Sequence, residues 1–404
     1  MKRYLITGGA GFIGANFVKY MLKKYGDINI VILDKLTYAG NLGTIREELK
    51  DDRVGFVKGD ICNRELIENI FMGKQIDIVV NFAAESHVDR SIEDPGIFLR
   101  TNIIGTQTLM DVAKAHWTIG KDSKGYPIYK EGKKFLQVST DEVYGTLTTD
   151  FKDGQELPIV NDDFKSVLKN RSTMPKTFGR EFFTEETGLD PRSPYATSKT
   201  AADMLVRAYA ETYHFPVNVT RCSNNYGPYH FPEKLIPLII KNILEGRKLP
   251  VYGDGKQVRD WLYVDDHCKG IDMVINKGRL TEAYNIGGFN EEQNINIVKL
   301  TIDTIRQLTI ENGQLKDEYK GIVKCDPENI SYDLITHVQD RLGHDARYAI
   351  DPTKTVKELG FYPETPFTEG IEKTIRWYLE NQEWMEEVVS GDYQKYYNEM
   401  YGSR

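Results

Sequence analysis

Tyr195 and Lys199 stand four positions apart in the run Ser193-Pro194-Tyr195-Ala196-Thr197-Ser198-Lys199. On a helix, side chains at that spacing share one face. Ser193 and Pro194 suit the N-cap and the first helical position. An ammonium beside a phenol stabilises the phenolate and can lower the phenol pKa from about 10. Such a tyrosine can take a hydroxyl proton while an acceptor takes hydride from the same carbon. A second cluster is Ser139-Thr140-Asp141-Glu142-Val143-Tyr144-Gly145. Thr140 suits a hydrogen bond to a substrate hydroxyl. The adjacent carboxylates Asp141 and Glu142 read in two ways. One is a solvated turn with Asp141 as a cap. The other is an acid and a base whose pKa values are pushed apart by their surroundings.

Thr7-Gly8-Gly9-Ala10-Gly11-Phe12-Ile13-Gly14 supplies the acceptor's site. It holds a G-x-G-x-x-G pattern at Gly9, Gly11 and Gly14, follows a predicted strand and opens a predicted helix. Asp34 comes twenty positions after Gly14, at the end of the next strand. Glycines there let the backbone approach a pyrophosphate at a helix N-terminus. Asp34 would accept from ribose hydroxyls and repel a 2′-phosphate, so NAD is expected rather than NADP. Asp60 and Ile61 can cradle the adenine. Asn81-Phe82-Ala83-Ala84 ends a further strand on the same edge, with residues small enough for close approach.

These clusters need a scaffold that delivers them to one edge. Segments 3–7, 29–33, 54–58, 76–82 and 134–139 are predicted strands. Helices are predicted over 15–25, 42–49, 64–72 and 102–116. Alternating β and α elements imply an α/β fold with a doubly wound parallel sheet. The second half is richer in Pro, Gly and Tyr, with helices predicted over 233–246, 297–312 and 367–381, and reads as a smaller lobe. Polar segments about 116–133 and 146–180 read as insertions, either surface excursions or lids.

Composition sets outer limits. The 404 residues carry 52 Lys plus Arg against 60 Asp plus Glu, a net charge of −8, which argues against non-specific nucleic-acid binding. No apolar run reaches the length of a membrane span. Met1 leads directly into a strand, read as leaving no room for a leader. Cys62, Cys222, Cys268 and Cys325 are scattered, which suits neither a metal site nor a disulfide framework and fits the cytoplasm.

Together these residues resemble the nucleotide-sugar branch of the extended short-chain dehydrogenases/reductases, and within it the dTDP-glucose 4,6-dehydratase family. The resemblance rests on 81–91 (NFAAESHVDRS), 139–145 (STDEVYG), 193–199 (SPYATSK), 222–240 (CSNNYGPYHFPEKLIPLII), 251–267 (VYGDGKQVRDWLYVDDH), 284–288 (YNIGG) and 340–351 (DRLGHDARYAID). It covers almost the whole chain, and the Thr-Asp-Glu triplet is its most specific part. It implies a Rossmann domain over 1–222 and about 257–287. A sugar-nucleotide lobe follows over about 223–256 and 288–404. The implied chemistry is redox-neutral: oxidation at C4, loss of water across C5 and C6, reduction at C6, and NAD recycled each turnover.

The resemblance implies catalytic roles for Thr140, Asp141, Glu142, Tyr195 and Lys199. It implies cofactor contacts from Gly8, Gly11, Phe12, Ile13, Gly14, Asp34, Lys35, Thr37, Asp60, Ile61, Phe82, Ala83, Ala84, Thr101 and Asn225, with Tyr195 and Lys199. Substrate contacts are implied for Ser86, Asn224, Lys234, Leu235, Pro250, Tyr252, Arg259, Asn294, Arg341, His344 and Tyr348, besides the triplet. Lys234, Arg259 and Arg341 would face the diphosphate and Tyr252 the base. No metal is implied. A homodimer through a four-helix bundle, built from helices near 102–115 and 195–213, is also implied. The rival expectations are a CDP- or UDP-glucose dehydratase, a nucleotide-sugar 4-epimerase or decarboxylase, and a non-catalytic NAD sensor.

Overall fold

The computed structural model describes residues 1–149 and 177–389. Seven strands form one sheet: β1 (Lys2–Thr7), β2 (Ile28–Asp34), β3 (Val54–Lys58), β4 (Ile78–Asn81), β5 (Lys134–Thr140), β6 (Val217–Cys222) and β7 (Ala283–Ile286). Their order is β7-β6-β5-β4-β1-β2-β3 and every pairing is parallel. The chain runs outward from β1 on one side and from β4 on the other, so the crevice opens where β1 and β4 end. Thr7 and Asn81 close that point, with Thr7 Oγ1 donating to Asn81 Oδ1 at 2.6 Å.

The inner strands are apolar on both faces because both faces are covered. Side chains alternate along a strand. Tyr4 and Ile6 of β1 enter one core with Phe17, Val18 and Ile271. Leu5 enters the other with Leu109, Val112, Trp117 and Val206. The first core lies under α1 (Phe12–Lys24) and a helix over Val264–Lys277. The second lies under α2 (Arg64–Lys74), α3 (Thr106–Trp117) and α4 (Pro194–Tyr213).

A third core belongs to the second lobe. Helix Leu235–Leu244 is buried from Ile236 onward, with helices Asn294–Thr309 and Phe367–Glu380 around it. Asn224–Tyr226, Val258–Tyr263 and Glu291–Gln293 make a small sheet there, and Leu249–Tyr252 pairs with Ile335–Val338. Each of the three predicted helices of this half is present with ends shifted by a few residues.

Two local expectations are corrected. The helix predicted over 42–49 is a pair of 3₁₀ turns, Leu42–Ile45 and Glu48–Lys50. Asn41 accepts from Gly43 N at 2.6 Å and closes a tight turn. Only Thr44 and Ile45 of these turns are buried, too little apolar face to hold a longer helix. The helix predicted from 102 starts earlier, and Leu99–Gly105 is a π-helix. There Asn102 turns inward, donating to Glu85 O at 3.0 Å and Ser198 Oγ at 2.8 Å.

The insertion about 116–133 is a hairpin, Thr118–Lys121 with Pro127–Tyr129. It precedes β5, at the end of the sheet away from the crevice, and Tyr129 Oη donates to Tyr213 O at 2.9 Å. It is a surface excursion. Most of the insertion about 146–180 lies outside the described residues.

Candidate active site

The glycine turn shows why its residues are glycines. Gly8 has φ +67, and a Cβ there would stand 2.7 Å from Ala83 N. A Cβ on Gly14 would collide with the Gly8 carbonyl. Gly11 differs: it is extended, and a Cβ on it would meet nothing closer than 3.4 Å within the protein. Its missing side chain leaves space on the cavity side. Gly11 is also the N-cap of α1 and offers no side-chain acceptor, so the first-turn N–H groups face outward. That edge fits an anionic diphosphate.

Asp34 accepts from Ala10 N at 3.0 Å and Leu36 N at 2.8 Å. A carboxylate has about four acceptor positions, so two remain for a diol. Lys35 pairs with Asp60 at 2.9 Å, on the side where the adenine is expected. A cavity of about 360 Å³ runs from this turn to the ends of β5 and β6. All seventeen expected cofactor residues line it: Gly8, Gly11, Phe12, Ile13, Gly14, Asp34, Lys35, Thr37, Asp60, Ile61, Phe82, Ala83, Ala84, Thr101, Tyr195, Lys199 and Asn225. The residues present fit a dinucleotide.

The reactive groups sit at the inner end of the same cavity. Ser193 accepts from Ala196 N at 3.0 Å and Pro194 opens α4, so Tyr195 and Lys199 point to one side. Lys199 Nζ donates to Val138 O at 2.7 Å. The surroundings of Tyr195 act in the opposite direction to the expected lowering of its pKa. Burial pushes the phenol well up, and Glu142, Cys222 and Asp141 add to the rise. Burial also pulls Lys199 down, against the carboxylate of Asp203.

Thr140 ends β5 and caps the turn that follows. Its hydroxyl donates to Asp141 Oδ1 at 3.2 Å and accepts from Glu142 N at 3.3 Å. Burial drives Asp141 well above the carboxylate range, and Glu142 and Asp260 push the same way. Asp141 Oδ2 is buried with no hydrogen-bond partner among the described residues. Burial raises Glu142 too, but Arg259, Lys234 and Arg341 oppose it. Both carboxyls are therefore raised, Asp141 with two carboxylates adding to its burial and Glu142 with three cations opposing it.

Of the other expected substrate residues, Ser86, Asn224, Lys234 and Leu235 line the cavity. Lys234 Nζ donates to Ser86 O at 3.0 Å. Pro250, Tyr252, Arg259, Asn294, Arg341, His344 and Tyr348 stand outside its lining. Tyr252 and His344 have ring centroids 6.1 Å apart, and Arg341 lies 5.2 Å from the Tyr252 ring. Arg259 lies 4.1 Å from the Tyr348 ring. Pro250 shares a strand with Tyr252, and Asn294 begins a helix with its N–H on Gln257 O at 3.0 Å. Arg259 and Arg341 connect this group to the Thr140–Glu142 turn through their fields on Glu142.

Several residues at the site escaped the motif reading. Asp89 pairs with Arg341 at 2.6 Å and accepts from Tyr252 Oη at 3.3 Å. Glu233 is buried in the cavity wall and pushed up to about 7. His267 Nδ1 lies 2.8 Å from Asn225 Oδ1. All three fall inside segments that carry the resemblance, but burial and pairing across the fold leave no local pattern. Among the described residues no group of three or more His, Cys, Asp or Glu could hold a metal.

Comparison with known proteins agrees with this geometry. Residues 4–287 match the family described as "NAD dependent epimerase/dehydratase family". A dTDP-glucose 4,6-dehydratase of Salmonella typhimurium is 44% identical over 404 residues, covering 100% of this chain and 99% of that protein. One from Xanthomonas campestris pv. campestris is 46% identical, covering 97% of each. The crystal structure of a dTDP-glucose 4,6-dehydratase from Bacillus anthracis in complex with NAD is 41% identical with a TM-score of 0.74, covering 96% of this chain and 100% of that one. That of a Streptomyces venezuelae dTDP-glucose 4,6-dehydratase with NAD and TYD bound is 38% identical with a TM-score of 0.76, covering 96% of this chain and 99% of that one. The chain belongs to the NAD dependent epimerase/dehydratase family, and within it to the dTDP-glucose 4,6-dehydratases.

Proposed function

We propose that the chain dehydrates dTDP-glucose to dTDP-4-dehydro-6-deoxy-glucose with NAD as a recycled cofactor. The observation that carries this reading is the pair Asp141 and Glu142 lining the dinucleotide cavity together with Tyr195, with Asp141 buried, its Oδ2 without a hydrogen-bond partner among the described residues, and Glu142 in the field of three cations. When bound, NAD⁺ supplies hydride exchange with the sugar carbons and a positive charge that adds to that of Lys199. Tyr195, once its own proton has left, accepts the proton of the 4-hydroxyl, and Lys199 favours the phenolate. Thr140 orients that hydroxyl. The 4-ketone acidifies C5–H, and Glu142 removes that proton while its cations hold the carboxylate ready. Asp141 gives up its proton to O6 as the C6–O bond breaks and water leaves. Glu142 returns a proton to C5.

Lys234, Arg259 and Arg341 hold the diphosphate, and Tyr252, with Pro250, His344 and Asn294, lies toward the base. We divide the chain accordingly: 1–222 with about 257–287 binds the cofactor, and about 223–256 with the chain from 288 binds the sugar nucleotide. The four free cysteines suit a reducing cytoplasm. No helix among the described residues is long and apolar enough to cross a membrane. Ile97, Leu99, Ile104 and Met204 are exposed on adjoining helical segments. Their exposure supports the homodimer through a four-helix bundle.

Purified protein given dTDP-glucose and NAD⁺ should yield a sugar nucleotide lighter by one water, without accumulating NADH. An unchanged mass with altered stereochemistry at C4 would make it an epimerase instead.

A further inference from the structure

Two loops wall the outer cavity. One contributes Thr37, Ala39 and Gly40, and the other His230 and Phe231. The first is irregular, closed by Gly40 N on Thr37 O at 3.1 Å. It consists of a left-handed residue, Leu36 (φ +55), and short turns, with Asn41 N bonded to Ala10 O at 3.2 Å. The second carries Tyr229 at φ +66 and rests on the glycine turn through a His230–Phe12 stack at 4.2 Å.

The loops meet directly through Tyr38 and Phe231, whose ring centroids are 5.8 Å apart, and a side chain from the far end of the chain bears on the flank of each. Trp384 lies on the short helix Gln382–Val388 and is 8% exposed. Its Nε1 donates to Thr44 Oγ1 at 3.1 Å, the end of the first loop. Its ring meets Tyr229 edge-on at 5.5 Å, beside His230 and Phe231 of the second. Trp377 backs it at 5.2 Å, packed against the core of the second lobe. One turn on, Glu387 pairs with Arg46 at 3.0 Å. An indole suits this post, since its apolar body packs while its N–H fixes a direction.

We propose that the helix Gln382–Val388 is a latch on the cofactor cavity, with Trp384 as the positioning residue that holds the two wall loops closed. This rests on NAD being the cavity's ligand. It explains why an element outside the cavity lining grips a loop of the dinucleotide-binding half. A cofactor restored in every turnover has no need to leave, so slowing its release carries no kinetic cost.

The test uses the full-length holoenzyme and its Trp384→Ala and Thr44→Val variants. The rate at which bound NAD⁺ exchanges with labelled NAD⁺ is measured, with dTDP affinity as the control. Trp384→Ala should release NAD⁺ roughly tenfold faster or more, since interface changes act mainly on dissociation. Thr44→Val should release it about threefold faster, the scale of one neutral hydrogen bond. The dTDP affinity should be unchanged in both. If Trp384→Ala folds poorly, Thr44→Val decides. Wild-type exchange rates in Thr44→Val, or an equal loss of dTDP affinity, would overturn the latch. Wild-type protein that binds no NAD⁺ at all would overturn the proposed function with it.

Discussion

Asp141 and Glu142 are neighbours in sequence but sit in different balances of charge. Glu142 and Asp260 push Asp141 up with Arg259 opposing them, whereas Arg259, Lys234 and Arg341 together oppose the rise of Glu142. Glu142→Gln should therefore cut turnover by about 10²–10⁴-fold, the usual share of a general base. The C4 step does not use Glu142, so reduced cofactor should build up on the protein. Absorbance of bound NADH after mixing with substrate checks this.

Asp141 also carries a stability cost. Its folded pKa is raised, so the native state keeps a proton that the unfolded chain releases above about pH 4. A raised folded pKa contributes stability at low pH that is lost as pH rises toward the folded value. Wild type should lose up to about 1.4 kcal/mol per pH unit across that window relative to Asp141→Asn. The variant should be inactive yet gain in relative melting temperature from pH 5 to pH 7. Thermal melts at both pH values test the sign.

The glycine turn predicts two different failures. Gly14→Ala meets the Gly8 carbonyl and should cost about 1–3 kcal/mol of stability by overpacking. Gly11→Ala has room within the protein and should melt within about 0.5 kcal/mol of wild type. It should still bind NAD roughly tenfold more weakly, because its methyl enters the cavity. Melting curves and NAD titrations separate the two.

Arg341 lies between Asp89, Tyr252 and the field on Glu142. Arg341→Ala should weaken dTDP binding roughly tenfold to a hundredfold, the scale of a charge-assisted hydrogen bond. NAD binding should be unaffected. Calorimetry with each ligand distinguishes this from general unfolding.

The exposed helical face predicts assembly. Ile104→Glu together with Met204→Glu should turn a dimer into a monomer in light scattering. Each residue is 42% exposed or more in the single chain, so the folded monomer should tolerate both changes.

Much of this was legible in the sequence because the informative groups are local. The strand-glycine-helix transition around Gly8–Gly14, the Tyr195/Lys199 spacing and the Thr140-Asp141-Glu142 triplet each lie within a few residues, and folding brings all three to one edge. What was not legible depends on contacts between distant segments. Asp89 meets Arg341 across 252 positions, and Trp384 meets Thr44 across 340. The helix Val264–Lys277 was missed because Gly270 and the polar run Asp265–His267 obscure its period, although its buried face packs on α1. The rise of the Tyr195 pKa was not legible either, because it comes from burial and from Glu142, Cys222 and Asp141, which the Tyr195/Lys199 spacing does not show.

The most direct test of the central claim follows the hydrogens. dTDP-glucose labelled with deuterium at C4 is incubated with the protein and NAD⁺ in ordinary water, and the product is examined by mass and NMR. The account predicts loss of one water, the label at C6, solvent hydrogen at C5 and no free NADH. Product that keeps its mass, or whose C6 hydrogen comes from solvent, would contradict it.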